Sequence, residues 1–254
     1  MTYQDHLDEV EGRLQKAAKG IPKQKADERA FFMKVKMPML GLTVPQQRAE
    51  MKKGYSFSGD ALKTQLPIWD YVWHNARTHE GKMQAGFYLG SLKPIPDVDF
   101  VWSVTRAWPD TMNCWDQSDE VSKAYSYMYA QKPGLLHPTY KDWNTDENPW
   151  RRRQSVVGLF CYAALHKKHP PVSKVLPLVT ALLSDEDYYV QKGVGWTLRE
   201  TYNVYPDKAL AFVLKHVGDI HPDAFSASIE KMTPTEKKQV KDLRKERRKP
   251  KRRT

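Results

Sequence analysis

Cysteine is nearly missing from this chain: Cys114 and Cys161 are the only two among 254 residues. That excludes a disulfide framework and a zinc site of four cysteine-type ligands, and it fits a reducing compartment. No stretch approaches 18 consecutive apolar residues, so no membrane span is expected. Among the first residues stand Asp5, Asp8, Glu9 and Glu11, which lack the basic start and apolar run of a secretory signal, so a cytoplasmic protein is expected. Strict apolar–polar alternation is scarce, and there is no Asn-Gly or Asp-Gly pair to turn a hairpin. The eight histidines form no His-Glu-x-x-His, and His166 and His169 beside Lys167 and Lys168 read as a solvated helix end. P-loop and Gly-x-Ser-x-Gly patterns are absent, and Gly193-Val194-Gly195 falls inside a helical stretch without a further glycine, so it is no dinucleotide loop. Neither metal nor cofactor is expected.

The formal charge is +11, and its location matters more than its size. From Lys237 to Thr254 eleven Lys/Arg stand against Asp242 and Glu246, a net +9, which leaves about +2 for the other 236 residues. Two segments follow: a body, 1–236, that is nearly neutral, and a basic tail, 237–254, expected to be solvated and partly disordered. Cutting the tail after Glu236 is expected to lower general affinity for a polyanion and flatten its salt dependence.

What the chain does have is apolar stripes of helical period, recurring throughout. Prolines fall between or at the starts of these stripes (Pro22, Pro45, Pro67, Pro94, Pro133, Pro149, Pro171, Pro206, Pro222, Pro234), where they punctuate helices. Roughly a dozen short helices joined by brief turns give an all-α protein, either an α-solenoid or an irregular bundle. Trp69, Trp73, Trp102, Trp108 and Trp143 fit the core stripes.

Three helices carry a second, non-core face. From Ser184 to Tyr202, with Ser184 and Asp187 read as a capping box, Val190, Val194, Leu198 and Thr201 form the core side. Tyr189, Lys192, Trp196 and Arg199 fall opposite. An indole between two cations on one stripe suits a phosphate-lined groove, though it equally suits a tryptophan packed beneath snorkelling side chains. In the helix from about Trp115 to Tyr129, Val121, Ala124, Tyr125 and Met128 form the core stripe. Trp115 and Asp119 lie opposite, with Lys123 and Ser126. A carboxylate here would repel DNA unless it stabilises something positive, and the plain alternative is a pair with Lys123. The third helix opens with Asn148 as cap and Pro149 at its first position. Arg151 and Arg152 point outward, while Arg153 lies within the apolar stripe between Trp150 and Val157 and calls for an acidic or phosphate partner.

These segments resemble the AlkD-like family of DNA alkylation repair glycosylases, which are built of HEAT-like repeats. The likeness rests on Trp115-Asp116 with Asp119, on Asn148-Pro149-Trp150 with Arg153, and on Tyr189-Val190-Gln191-Lys192 with Gly195-Trp196 and Leu198-Arg199-Glu200. Phe32-Met33-Lys34 before Leu40-Gly41, with Pro45 and Arg48, is similar to the family's opening repeat. The resemblance implies a HEAT-like α-α superhelix with a concave DNA-binding face. It implies a monomer that hydrolyses the N-glycosidic bond of cationic N3- or N7-alkylated purines in double-stranded DNA, as base-excision repair in the nucleoid, without metal or cofactor. By this likeness Asp119 takes the catalytic carboxylate's place, Trp115 and Trp196 those of the aromatics around the lesion's deoxyribose, and Arg153 that of an arginine near the backbone. Lys192, Arg199, Arg48 and Lys34 complete the implied DNA contacts. Phe32 stands where the family often has tyrosine, Cys114 where a second aromatic commonly precedes the tryptophan, and Gln117-Ser118 replaces smaller or apolar residues. The competing class is a non-catalytic helical-repeat scaffold that binds nucleic acid or protein.

Overall fold

The computed structural model describes residues 1–161, 163–165 and 168–248. Within these residues every regular element is helical. The α-helices are α1 (Tyr3–Ala17), α2 (Lys23–Met33), α3 (Val44–Lys52), α4 (Leu62–Asn75), α5 (His79–Ser91), α6 (Val98–Thr105) and α7 (Trp115–Gln131). They continue with α8 (Pro133–Trp143), α9 (Pro149–Phe160), α10 (Val172–Ala181), α11 (Tyr188–Val204), α12 (Pro206–Lys215), α13 (Pro222–Ser228) and α14 (Pro234–Arg248). Short 3-10 turns occupy Trp108–Thr111 and Ala163–Leu165. The all-α reading holds, and none of the described helices is long and apolar enough to cross a membrane.

The chain divides into two compact units, Met1–Met128 and one from Tyr129 onward. In the first, α4 packs on α5, α1 and α6, and α3 packs on α5 and α1. Aromatic rings fill its core: Trp73 stacks on Trp108 at 4.5 Å, while Trp69 stacks on Tyr88 at 5.4 Å and meets Phe57 edge-on at 5.0 Å. Two fully buried carboxylates stitch the chain. Glu11 accepts the Arg77 and Thr78 amides, and Glu80 accepts those of Leu40, Gly41 and Leu42. Each satisfies amides that lack a helical partner, so its burial costs little. In the second unit α11 is the hub, packed on α9 and α13, with α12 against both α11 and α14. The five tryptophans expected in the core are 0–4% exposed.

Proline punctuation holds at Pro133, Pro149, Pro206, Pro222 and Pro234, each the first residue of its helix. Pro67 departs from it, lying inside α4, and Pro138 and Pro177 likewise lie inside α8 and α10. The cap of α11 is Asp187, whose carboxylate accepts the amides of Tyr189 and Val190 at 2.8 and 3.0 Å, so Ser184 is not the cap. A carboxylate beside the helix N-terminus also meets the helix dipole, which favours this start over one three residues earlier. The basic run from Lys237 begins inside α14 and stays helical to Arg248, with Val240 and Arg244 buried. Residues 249–254, the rest of the expected tail, lie outside the described residues, as do His166 and Lys167.

Candidate nucleic-acid interface

In the first unit the feature of interest is the start of α7. Gln117 returns its Oε1 to the Asn113 amide at 3.0 Å, and Asp116 accepts the Gln117 amide at 2.9 Å. His79, 1% exposed at the head of α5, reaches the Asp116 carboxylate through Nε2 at 2.8 Å and the Gln117 amide nitrogen through Nδ1 at 3.2 Å. Since the amide NH₂ donates, Nδ1 accepts, and the network assigns the ring proton to Nε2, facing the carboxylate. The first turn of α7 is thus clamped to α5. Cys114, buried just before it, points its sulfur at the Met33 carbonyl at 3.5 Å. Burial first, and then the Asp116 charge, push its thiol well above the ordinary range and favour the protonated form.

From this clamped turn Trp115 projects 38% exposed, and Asp119, one turn on, is half-buried on the same side. Val121, Ala124, Tyr125 and Met128 are buried, as the helical period predicts. Ser126 is not on the outer face: it is 1% exposed and donates to the Lys123 carbonyl at 2.9 Å. Lys123 pairs with Glu120 at 2.5 Å. Arg48 forks onto the same carboxylate at 3.0 and 2.9 Å, with its guanidinium 4.2 Å from the Phe87 ring centroid. As placed, Arg48 braces α3 against α7. Lys34 is exposed, in the left-handed conformation (φ 55°) that ends α2. Beside it Phe31 and Phe32 are 88% and 82% exposed. The carbonyl of the next residue, Met33, meets Cys114, so this apolar pair adjoins the start of α7.

In the second unit Asn148 caps α9 through the Trp150 amide at 2.9 Å, as expected. Trp150 stacks on Tyr189 of α11 at 5.0 Å. Arg153 is 3% exposed, and its Nη1 donates to the Tyr189 carbonyl at 2.7 Å; at this nitrogen the expected acidic or phosphate partner is a main-chain oxygen. Gly193 makes room for it, since a Cβ there would stand 3.2 Å from the Arg153 Cγ. On the outer face of α11 Trp196 is half-buried and donates its indole N–H to Glu200 at 3.2 Å. Arg199 lies 5.6 Å over that ring and binds Glu200 at 3.0 Å and Glu230 at 3.1 Å. Lys192 is exposed near the ring of Tyr188, itself 43% exposed. Val190, Val194, Leu198 and Thr201 are fully buried, so both faces of α11 are as read.

Some of the polar framework is not legible in the sequence. His79, Glu120 and Glu200 hold Asp116, Arg48 and Trp196 across separations no local pattern discloses, apart from Glu200 four residues after Trp196. The described residues hold no group of three or more His, Cys, Asp or Glu arranged to grip a metal.

The helical fold thus carries an exposed indole–carboxylate face in its first unit and an aromatic–basic face in its second. The model of the DNA alkylation repair enzyme family matches residues 12–232. The chain therefore belongs to that family, as the sequence resemblance implied. Solved structures share the fold. A predicted DNA alkylation repair enzyme from Enterococcus faecalis aligns at 19% identity with a TM-score of 0.70, over 83% of this chain and 96% of its own. AlkD2 from Streptococcus mutans aligns at 16% identity with a TM-score of 0.54, over 96% of this chain and 97% of its own. Among curated proteins, none matches the chain.

Proposed function

We propose that this alkylation repair protein is a DNA glycosylase that hydrolyses the N-glycosidic bond of cationic N3- or N7-alkylated purines in duplex DNA. The observation that carries the reading is the pairing of an exposed indole, Trp115, with the half-buried carboxylate of Asp119 one turn later, on a helix whose first turn is clamped by His79. An alkylated purine is already positive and departs neutral, so its loss needs no general acid. What develops is positive charge on the deoxyribose. Asp119 stabilises that charge and orients the attacking water, and the electron-rich face of Trp115 stabilises the same cation. Trp196 is assigned the aromatic contact that the second unit makes with the DNA. Lys192, Arg199 and Lys34 are assigned to phosphates. Arg48, paired with Glu120 though its side chain is 42% exposed, and Arg153, buried at the Tyr189 carbonyl, support the helices that carry these groups.

The test is release of 7-methylguanine or 3-methyladenine from methylated duplex, read as free base and as abasic sites. Wild-type protein is expected to release base, and Asp119→Asn to lose at least about 100-fold of the rate with its affinity for the duplex retained. Equal release by Asp119→Asn, or none by wild type across several lesions, transfers support to a non-catalytic DNA-binding scaffold.

A further inference from the structure

The basic run that starts at Lys237 opens on α14, which begins at Pro234, beyond the 12–232 stretch that the family model matches. This helix is docked. Val240 is fully buried, and Arg244, 7% exposed, donates to the Val217 and Ile220 carbonyls at 3.1 and 2.9 Å with its guanidinium 3.8 Å over the Phe225 ring. Arg247 donates to the Lys215 carbonyl at 2.7 Å. At the other end Glu236 accepts from the Tyr202 hydroxyl and from Thr233, each at 2.7 Å. Buried Arg244 and exposed Arg247 therefore both hold the helix at a set orientation through main-chain carbonyls.

That orientation leaves Lys241 and Lys245 exposed and Lys237 half-buried. Lys237, Lys241 and Lys245 follow at four-residue intervals, a rise of about 6 Å per step. With Lys238, Pro234 and Asp242 they line an open depression of about 430 Å³. Asp242 is the carboxylate at this depression, and it pairs with Lys238 at 2.7 Å. Glu246 is exposed and turned about 100° from Lys245 around the helix. The row spans about 12 Å, the axial length of three to four phosphates of one strand at about 3.4 Å each.

We propose that the lysine face of α14 is a fixed second contact surface for the sugar–phosphate backbone of duplex DNA, one that reads neither sequence nor lesion. Charge complementarity carries the choice of partner: residues 1–236 are close to neutral, so the net positive charge gathers in and after α14, and DNA is the polyanion on which its family works. The inference rests on the alkylation-repair reading for the identity of the polyanion and does not require base release.

The experiment compares the full-length chain with Lys237→Gln/Lys241→Gln/Lys245→Gln by fluorescence anisotropy on an undamaged duplex across a salt series. A second triple variant, Lys16→Gln/Lys19→Gln/Lys63→Gln, removes equal charge from exposed lysines elsewhere. The α14 variant is expected to flatten the slope of log affinity against log salt by about 2.7, near 0.9 for each phosphate that is no longer neutralised, with the control slope unchanged. Arg244→Met removes no lysine from the row but releases its docking, and it is expected to weaken binding too. Full affinity in that variant would overturn the fixed geometry, and the surface lysine variant keeps the test decisive should Arg244→Met unfold. An unchanged slope in the α14 variant, or equal flattening in the control, overturns the proposal. So does loss of binding to phosphatidylserine vesicles by the α14 variant with its DNA slope intact. A flattened slope in a protein that releases no base supports this surface and counts against the glycosylase.

Discussion

Lys82 shows at one residue how burial and charge trade against each other. It is 4% exposed, donates to the Thr111 carbonyl and hydroxyl at 2.5 and 3.0 Å, and stands 4.8 Å from the Trp73 ring centroid. Burial depresses its pKa from the ordinary 10.5 to about 8. A depressed lysine binds its proton more weakly folded than unfolded. The resulting penalty is full below pH 8 and is relieved as pH rises through 8 toward 10.5. The stability difference between wild type and Lys82→Met is therefore expected to move in favour of wild type by about 2 kcal/mol between pH 7 and pH 10, read by urea denaturation. A constant difference would mean that Lys82 keeps its proton through that range. Asp119 acts at the same scale, and its Asn variant separates charge from shape. It keeps the size of the side chain on α7 and removes the charge that the sugar cation needs.

At the scale of the helix, faces are legible in the sequence and partners are not. The outward Trp115–Asp119 and Tyr189–Lys192–Trp196–Arg199 stripes follow from the 3.6-residue period, which depends only on neighbours along one helix. Arg48 finding Glu120, or His79 finding Asp116, joins residues 72 and 37 positions apart, which no local pattern encodes. The cap of α11 is ambiguous in sequence because Ser184 and Asp187 both carry capping chemistry, and only the backbone decides between them. The glycines of α11 are a related case, since a G-x-G is legible but its purpose is not. Gly195 lets α11 approach α13 so closely that a Cβ would stand 2.9 Å from the Ala224 Cα, a backbone atom that cannot swing away. Gly195→Ala is expected to cost about 1–3 kcal/mol. Gly134→Ala near the start of α8, with nothing within 4 Å, is expected to be neutral or slightly stabilising. Thermal unfolding of the two variants side by side reads the contrast, and matched melting temperatures would refute it.

For the whole molecule, the main revision concerns where the folded body stops. Composition places a boundary after Glu236 because charge density changes there, and charge density alone cannot tell a loose tail from a docked basic helix. What the composition conceals is that Val240 and Arg244 recur at helical spacing on the inner side of an otherwise polar segment. Truncation after Glu236 therefore cuts α14 near its start and uncovers the Val217 and Ile220 carbonyls. It is expected to lower the melting temperature by about 5 °C, measured by calorimetry. An unchanged melting temperature would show that the helix adds nothing to the second unit. In a deletion experiment this drop in stability would pass for weakened DNA binding, so surface lysine substitutions are the sounder probe.

The uneven burial of the eight indoles also gives the protein an optical property. Trp69, Trp73, Trp102, Trp108 and Trp143 are sealed from water, whereas Trp115 is open and Trp150 and Trp196 are half-open. Red-shifted emission, and the share that dissolved acrylamide can extinguish, come chiefly from Trp115. Docking of a duplex over α7 would register as a blue shift and shielding of that emission in unlabelled protein, and Trp115→Phe would silence the signal.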